Sequence, residues 1–278
     1  MTDTPTLQEV WGQYRLFKEK LWAHSTLRAV ITIEKRIFLC PNSLEKARET
    51  RDFLIDNYSL DSARRTLKHI SACIEWGKRE GLVKNNPYHP FLGDFRKKRK
   101  QVDIFSLAEK DIVVEAYKGF HYYDFVRFLF KTGCRPSEAI GLLWTDIDPS
   151  MSEITFHSPV VDGVRKEGLK VEDLRRFPVN GSLKALLASL KRKEGPVFCS
   201  PKGSIIHLSN FNRRSWGPTL ATLPIRYRRP YAARGFFITE CLRLNIPVAV
   251  IARWVGNSPT TIYSHYAGLL DDYEVPDF

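Results

Sequence analysis

Residues 95–101 read FRKKRKQ, with five consecutive cations from Arg96 to Lys100. Adjacent like charges repel one another and resist dehydration, so no hydrophobic core can run through them. The chain is therefore expected to fold as two patterned regions joined at this run. Just upstream, NNPYHP (Asn85 to Pro90) breaks regular structure. This division assigns residues 1–94 to a first domain, 95–105 to an exposed basic linker and 106–278 to a second domain. With 278 residues and 43% hydrophobic content, a sizeable core is within reach and global disorder is excluded.

The first region has helical periodicity. In SARRTLKHISACIEWGKREG, Leu67, Ile70, Ile74 and Gly77 share one face, Asp61 or Ser62 is placed to cap the start, and Gly81 ends the helix. Arg64, Arg65 and Lys68 fall on or near other faces. The second region opens with a capping box, Ser106 and Glu109. A helix over YYDFVRFLF should stop at Gly133, and Pro136 should open the next, PSEAIGLLW. Strands are expected over Glu153–Phe156, over LRRFPV as far as Pro178, and over Gly195–Cys199, with a helix over Leu183–Leu190. From Leu208 onward the pattern is helical, interrupted by LPIRYRRP. The expected fold is mainly α with a small antiparallel sheet.

A net charge of +12 and a pI near 9.5 favour a polyanionic partner, nucleic acid above all. Five cysteines, none at C-x-x-C spacing, read as reduced thiols, and the seven histidines do not pair at ligand spacing, so no metal site is expected. The opening MTDTPTLQEVWGQY carries no apolar signal stretch, and no window reaches the length of a membrane span. The expected location is the cytoplasm, in association with the nucleoid.

Four stretches carry chemistry. In TGCRPSEAIGLLWTDID, Arg135 stands between one helix and the N–H groups of the next, which suits an anion. In GLKVEDLRRFPV, Lys170 lies in a turn before a strand, where a long side chain can reach out. In RRPYAARGFFITECL, Arg234 follows Tyr231 by three residues, and Arg226, Arg228 and Arg229 give a basic approach. In WVGNSPTTIYSHYAG, Tyr263 and Tyr266 both sit on the final helical stretch.

The order and spacing of these boxes resemble the tyrosine recombinase, or phage integrase, family over roughly the last 170 residues. The first stretch resembles its first-arginine box, YAAR takes the place of its H-x-x-R box, and WVGNSPTTIYSHYAG resembles its terminal tyrosine box. The resemblance implies a helical core-binding domain followed by an α+β catalytic domain. It implies Arg135 and Arg234 as the catalytic arginines and Lys170 as the strand-turn lysine, eight residues before Pro178, with Lys166 a poorer match. Asn257 stands where the family usually has His or Trp, Tyr231 where it usually has His, and Gly235 where it commonly has a larger residue. Tyr266 follows Asn257 by nine residues, the family's spacing to its nucleophile; Tyr263 is the runner-up.

The implied activity is site-specific DNA recombination through a 3′-phosphotyrosyl intermediate, without metal, ATP or any cofactor. The implied partner is double-stranded DNA, bound by a homotetramer on paired sites and by a monomer or dimer when free. The acidic, apolar tail GLLDDYEVPDF would exchange between subunits. Arg64, Arg65, Lys68, Arg96, Lys97, Lys98, Arg99, Lys100, Arg226, Arg228 and Arg229 are the expected phosphate contacts. Because Tyr is a poor general base near neutrality and Asn shuttles no proton, a weakened or non-cleaving DNA-binding member is the alternative, as is a type IB topoisomerase-like enzyme.

Overall fold

The computed structural model describes residues 5–22, 24–95, 102–157, 160–161, 164–165, 174–191 and 193–266. The chain divides into two compact units, Met1–Arg99 and Lys100–Phe278.

The first unit holds α1 (Leu7–Glu19), α2 (His24–Ile37), α3 (Ala47–Asn57) and α4 (Leu60–Arg79). Thr6 and Glu9 start α1 by capping each other: the Glu9 N–H donates to the Thr6 hydroxyl at 3.3 Å, and the Thr6 N–H donates to the Glu9 carboxylate at 2.7 Å. The face of Leu67, Ile70 and Ile74 on α4 is fully buried. Gly77 lets α1 pack close, since a Cβ there would sit 2.9 Å from Val10 Cγ1. The cap of α4 is Ser59 rather than Asp61 or Ser62; its hydroxyl accepts from the Ser62 N–H at 3.4 Å. Tyr58 turns the chain extended at the end of α3, so α4 begins as soon as the next residue offers a capping oxygen.

The second unit holds α5 (Leu107–Ala116), α6 (Tyr123–Thr132), α7 (Pro136–Gly141), β1 (Glu153–Phe156), β2 (Val160–Val161), β3 (Val164–Arg165), β4 (Arg175–Pro178), α8 (Gly181–Ser189), α9 (Leu208–Phe211), α10 (Gly217–Ala221), α11 (Ala232–Arg243), α12 (Val248–Val255) and α13 (Pro259–Tyr266). Its core is rich in aromatics, with Phe105, Phe125, Phe128, Phe211 and Trp216 almost wholly enclosed. Strand β1 pairs antiparallel with β4, Ile154 opposite Phe177 and Phe156 opposite Arg175, while β2 and β3 form a separate short hairpin. Alternation along β4 buries Arg175 and Phe177 and exposes Arg176 and Pro178.

The strand expected over Gly195–Cys199 does not form. Its contacts reduce to a bridge between Pro196 and Leu143, flanked by the Trp144 N–H donating to Gly195 and the Val197 N–H donating to Leu142. Pro196 has no N–H to give a ladder, and Gly195 sits at φ +65°, outside strand geometry. Of the expected linker over 95–105, residues 96–101 lie outside the described residues. Phe95 is buried in the core of the first unit and Phe105 in that of the second.

Candidate active site

Helix α6 ends at Gly133, in the left-handed region at φ +59°. A Cβ there would lie 2.6 Å from Phe237 of α11, so glycine meets both the turn and the close approach. Two residues on, Arg135 caps α7. Its N–H donates to Glu138 Oε2 at 2.7 Å, its Nη1 to Glu138 Oε1 at 2.7 Å, and its Nη2 to the Gly256 carbonyl at 2.9 Å. Burial works against the charge of Arg135, but Glu138 and the Tyr231 hydroxyl outweigh it and hold the guanidinium above its ordinary value.

Arg234 lies one turn into α11 and is 1% exposed. Its Nη1 donates to the Gly133 carbonyl at 3.0 Å and its Nη2 to Asn257 Oδ1 at 2.8 Å. Nε has no hydrogen-bond partner among the described residues. A buried donor in that state costs about 1–3 kcal/mol, a cost relieved by an incoming acceptor. Burial pulls Arg234 below its ordinary value, with Arg135 and Arg175 adding to the effect and Tyr231 opposing it.

Asn257 follows Gly256, the left-handed cap of α12 at φ +66°. A guanidinium only donates, so the Asn257 oxygen must face Arg234 and the amide N–H groups must turn away from it. Tyr231 stands just before α11, half exposed, with its ring 6.0 Å from the Arg234 guanidinium. Tyr266 ends α13 at 6% exposure, packed with Ile238, Val255 and Ile262. Burial raises its phenol above 10.0, Tyr231 adds to this, and Arg234 opposes it. Gly235 makes room at this point, since a Cβ would meet Ile104 at 2.7 Å and Tyr266 Cε1 at 3.6 Å. Tyr263, on the same helix, is 61% exposed.

Two side chains absent from the expected set complete the cluster. Arg175 is 8% exposed; its Nη1 donates to Glu138 Oε1 at 3.0 Å and to the Val255 carbonyl at 2.9 Å, and its Nη2 to Glu138 Oε2 at 2.7 Å. Burial alone would raise Glu138, but Arg175 and Arg135 together hold it below its ordinary value. Three guanidiniums against one carboxylate leave the cluster positively charged. The signal for Arg175 was the two-residue alternation with Phe177, which puts both on the core face.

Arg135, Tyr231, Arg234, Asn257 and Tyr266 are thus brought together, whereas Lys170 and Lys166 lie outside the described residues, as do Arg96, Lys97, Lys98, Arg99, Lys100 and the tail after Tyr266. Of the other expected phosphate contacts, Arg64 is half-buried, Arg65 pairs with Asp61 at 3.0 Å, and Lys68 and Arg229 are exposed. Arg226 pairs with Asp103. Arg228 is enclosed: its side chain is 10% exposed, held by Asp103 at 2.6 Å and Glu109 at 2.9 Å over the Phe105 ring. Its Nε and Nη1 are committed to those two acids at the start of the second unit.

The fold has known counterparts. An integrase of the transposon Tn1549, solved with circular intermediate DNA, superposes with a TM-score of 0.80 over 94% of this chain and 95% of that one, at 15% identity. The lambda integrase, solved as a tetramer on a Holliday junction, gives 0.72 over 91% and 77%, at 14% identity. The chain has the fold of the tyrosine recombinases. Sequence similarity supports that family: a tyrosine recombinase XerC of Bacillus pumilus is 26% identical over 78% of this chain and 75% of its own length. A XerC-like tyrosine recombinase of Caldanaerobacter subterraneus subsp. tengcongensis is 23% identical over 59% of this chain, which spans 51% of that relative. No protein-family model matches the chain.

Proposed function

We propose that this chain is a site-specific DNA recombinase that cleaves and rejoins double-stranded DNA through a 3′-phosphotyrosyl link. The observation that carries the reading is the meeting of the part-exposed Arg135 and the buried Arg234 with Asn257, Tyr231 and the enclosed Tyr266, from four separate segments of the fold.

In this reading Tyr266 Oη attacks the scissile phosphorus and the bond to the 5′-oxygen breaks. The phenol proton leaves to solvent, and Lys170 protonates the departing oxygen. The pentacoordinate phosphate gathers negative charge, and guanidiniums already fixed in place stabilise it more than freely reorienting water does. Asn257 donates an amide N–H to the phosphate, and Tyr231 orients it. The guanidiniums supply the positive charge and the phosphotyrosyl bond stores the energy for resealing, so neither metal nor ATP is needed. Attack by a second strand's 5′-hydroxyl completes exchange. Four copies act on paired sites in the cytoplasm, a reading supported by the lambda integrase, solved as a tetramer on a Holliday junction.

The test is covalent trapping on nicked duplex DNA from the flanks of the gene's own element, resolved on denaturing gels. Wild type and Tyr263→Phe should give a DNA-linked band that survives chelator, and Tyr266→Phe should give none. Loss of the band in Tyr263→Phe alone would move the nucleophile. No band from wild type despite specific binding would refute cleavage.

A further inference from the structure

Arg175 is drawn from a strand that the expected catalytic set does not include, yet it closes a ring of contacts around the site. Starting at Arg135, the Nη1 and backbone N–H reach Glu138. Both Glu138 oxygens then accept from Arg175, whose Nη1 also holds the Val255 carbonyl. The next residue, Gly256, returns its carbonyl to Arg135 Nη2 at 2.9 Å. Asn257, which grips Arg234, comes directly after it.

We propose that Arg175 is a positioning residue: a single guanidinium that locks the Arg135 segment and the Gly256–Asn257 turn into one frame, so that both catalytic arginines meet the phosphate with fixed spacing. The proposal rests on the recombinase reading for its consequence and on the ring for its geometry.

The chemistry requires arginine here. Two Nη atoms serve three acceptors, the two Glu138 oxygens and the Val255 carbonyl, in a planar fork, and a lysine ammonium cannot span them. The fork is itself fixed. It lies 4.5 Å from the Phe156 ring centroid, and a Cβ on Gly256 would come within 2.6 Å of Nη1. Both Nη groups of Arg175 are committed, and its Nε is buried with no hydrogen-bond partner among the described residues. In the proposal its effect on a phosphate passes through Arg135 and Asn257. Without it Glu138 keeps its burial and loses two charged donors, which favours the protonated carboxyl and loosens its hold on Arg135.

The test compares full-length wild type, Arg175→Lys and Arg175→Met by two readouts. The first, independent of catalysis, is the ¹⁵N spectrum of the guanidiniums, where the Arg135 Nη protons should be slow to rotate in wild type and averaged in both variants. The second is single-turnover adduct formation at saturating DNA. The rate should fall about 100-fold, as for a small misplacement of reacting groups, while DNA affinity changes less than about 3-fold. The Arg175→Met rate should also gain an acid limb as Glu138 protonates. Unchanged Arg135 signals in a folded Arg175→Lys, or a loss of affinity equal to the loss of rate, would overturn the proposal. If both variants fail to fold, Glu138→Gln reads the same ring from its other side, and unaltered Arg135 signals there overturn it equally. A wild type that forms no adduct defeats the recombinase reading alone, and the guanidinium spectra still decide whether Arg175 fixes Arg135.

Discussion

Replacing Gly256 by alanine tests the ring without touching a charged group. The residue sits at φ +66°, where an L side chain costs about 1–2 kcal/mol. The new Cβ would also lie 2.6 Å from Arg175 Nη1 and 3.5 Å from Arg135 Nη1. Arg175 has Phe156 on one side and its own strand behind it, so Nη1 can retreat only by stretching its bonds to Val255 and Glu138. Losing one hydrogen bond to a charged group costs about 1.5–3 kcal/mol, which brings the total to roughly 3–5 kcal/mol. Gly119→Ala provides the comparison within the same unit, because Gly119 has φ +80° but nothing within 4 Å of an added Cβ. It should carry the conformational cost alone. The gap of about 1.5–3 kcal/mol corresponds to roughly 3–12 °C in a domain of this size. Thermal unfolding of both variants, followed by near-ultraviolet circular dichroism, measures it. Equal midpoints for the two would refute the claim that Arg175 is held rigidly against the turn.

Other outcomes follow from the same packing. Native protein should show one reactive thiol to Ellman's reagent, Cys199, because Cys40, Cys73, Cys134 and Cys241 are buried with thiols pushed up to about 12; five should react in denaturant. Glu138 has a folded-state value below its ordinary 4.5, so the folded state binds its proton less readily than the unfolded chain. Its contribution is present above about 4.5 and is lost as pH falls through the lower folded value. Glu138→Gln should therefore flatten the fall in urea midpoint as the pH drops below 4.5. Arg228→Ala should destabilise the second unit by about 1–3 kcal/mol, measured by urea titration, and leave the salt dependence of DNA binding unchanged. Arg229→Ala should lower the slope of log affinity against log salt by about 1.

Much of the fold was legible because its boundaries are written in local chemistry. The Ser106–Glu109 box starts α5, Gly133 stops α6, and β1 spans the four residues expected of it. Where local signals competed, the reading slipped: three capping residues stand within Ser59–Ser62, and the chain uses the first. The boxes mark residues that the fold brings together, but nothing in them points to the frame of Glu138 and Arg175 that holds them. Glu138 reads as an ordinary third-position glutamate of a helix, and Arg175 reads as one of a pair of strand arginines. Only the fold puts Glu138 37 residues away against Arg175, and Val255 80 residues away. The acid partners of Arg228 were hidden for the same reason, since they lie 125 and 119 residues upstream.

The short run from Val102 to Phe105 has a consequence for anyone recombining these units with those of relatives. Ile104 meets Gly235 beside Tyr266, Asp103 holds Arg226 and Arg228, and Phe105 fills the core of the second unit. A chimera cut at the first helical residue would inherit α11 and α13 without the strap that fastens α11 and its approach loop. The seam that keeps such a graft whole lies within the basic run, ahead of Val102.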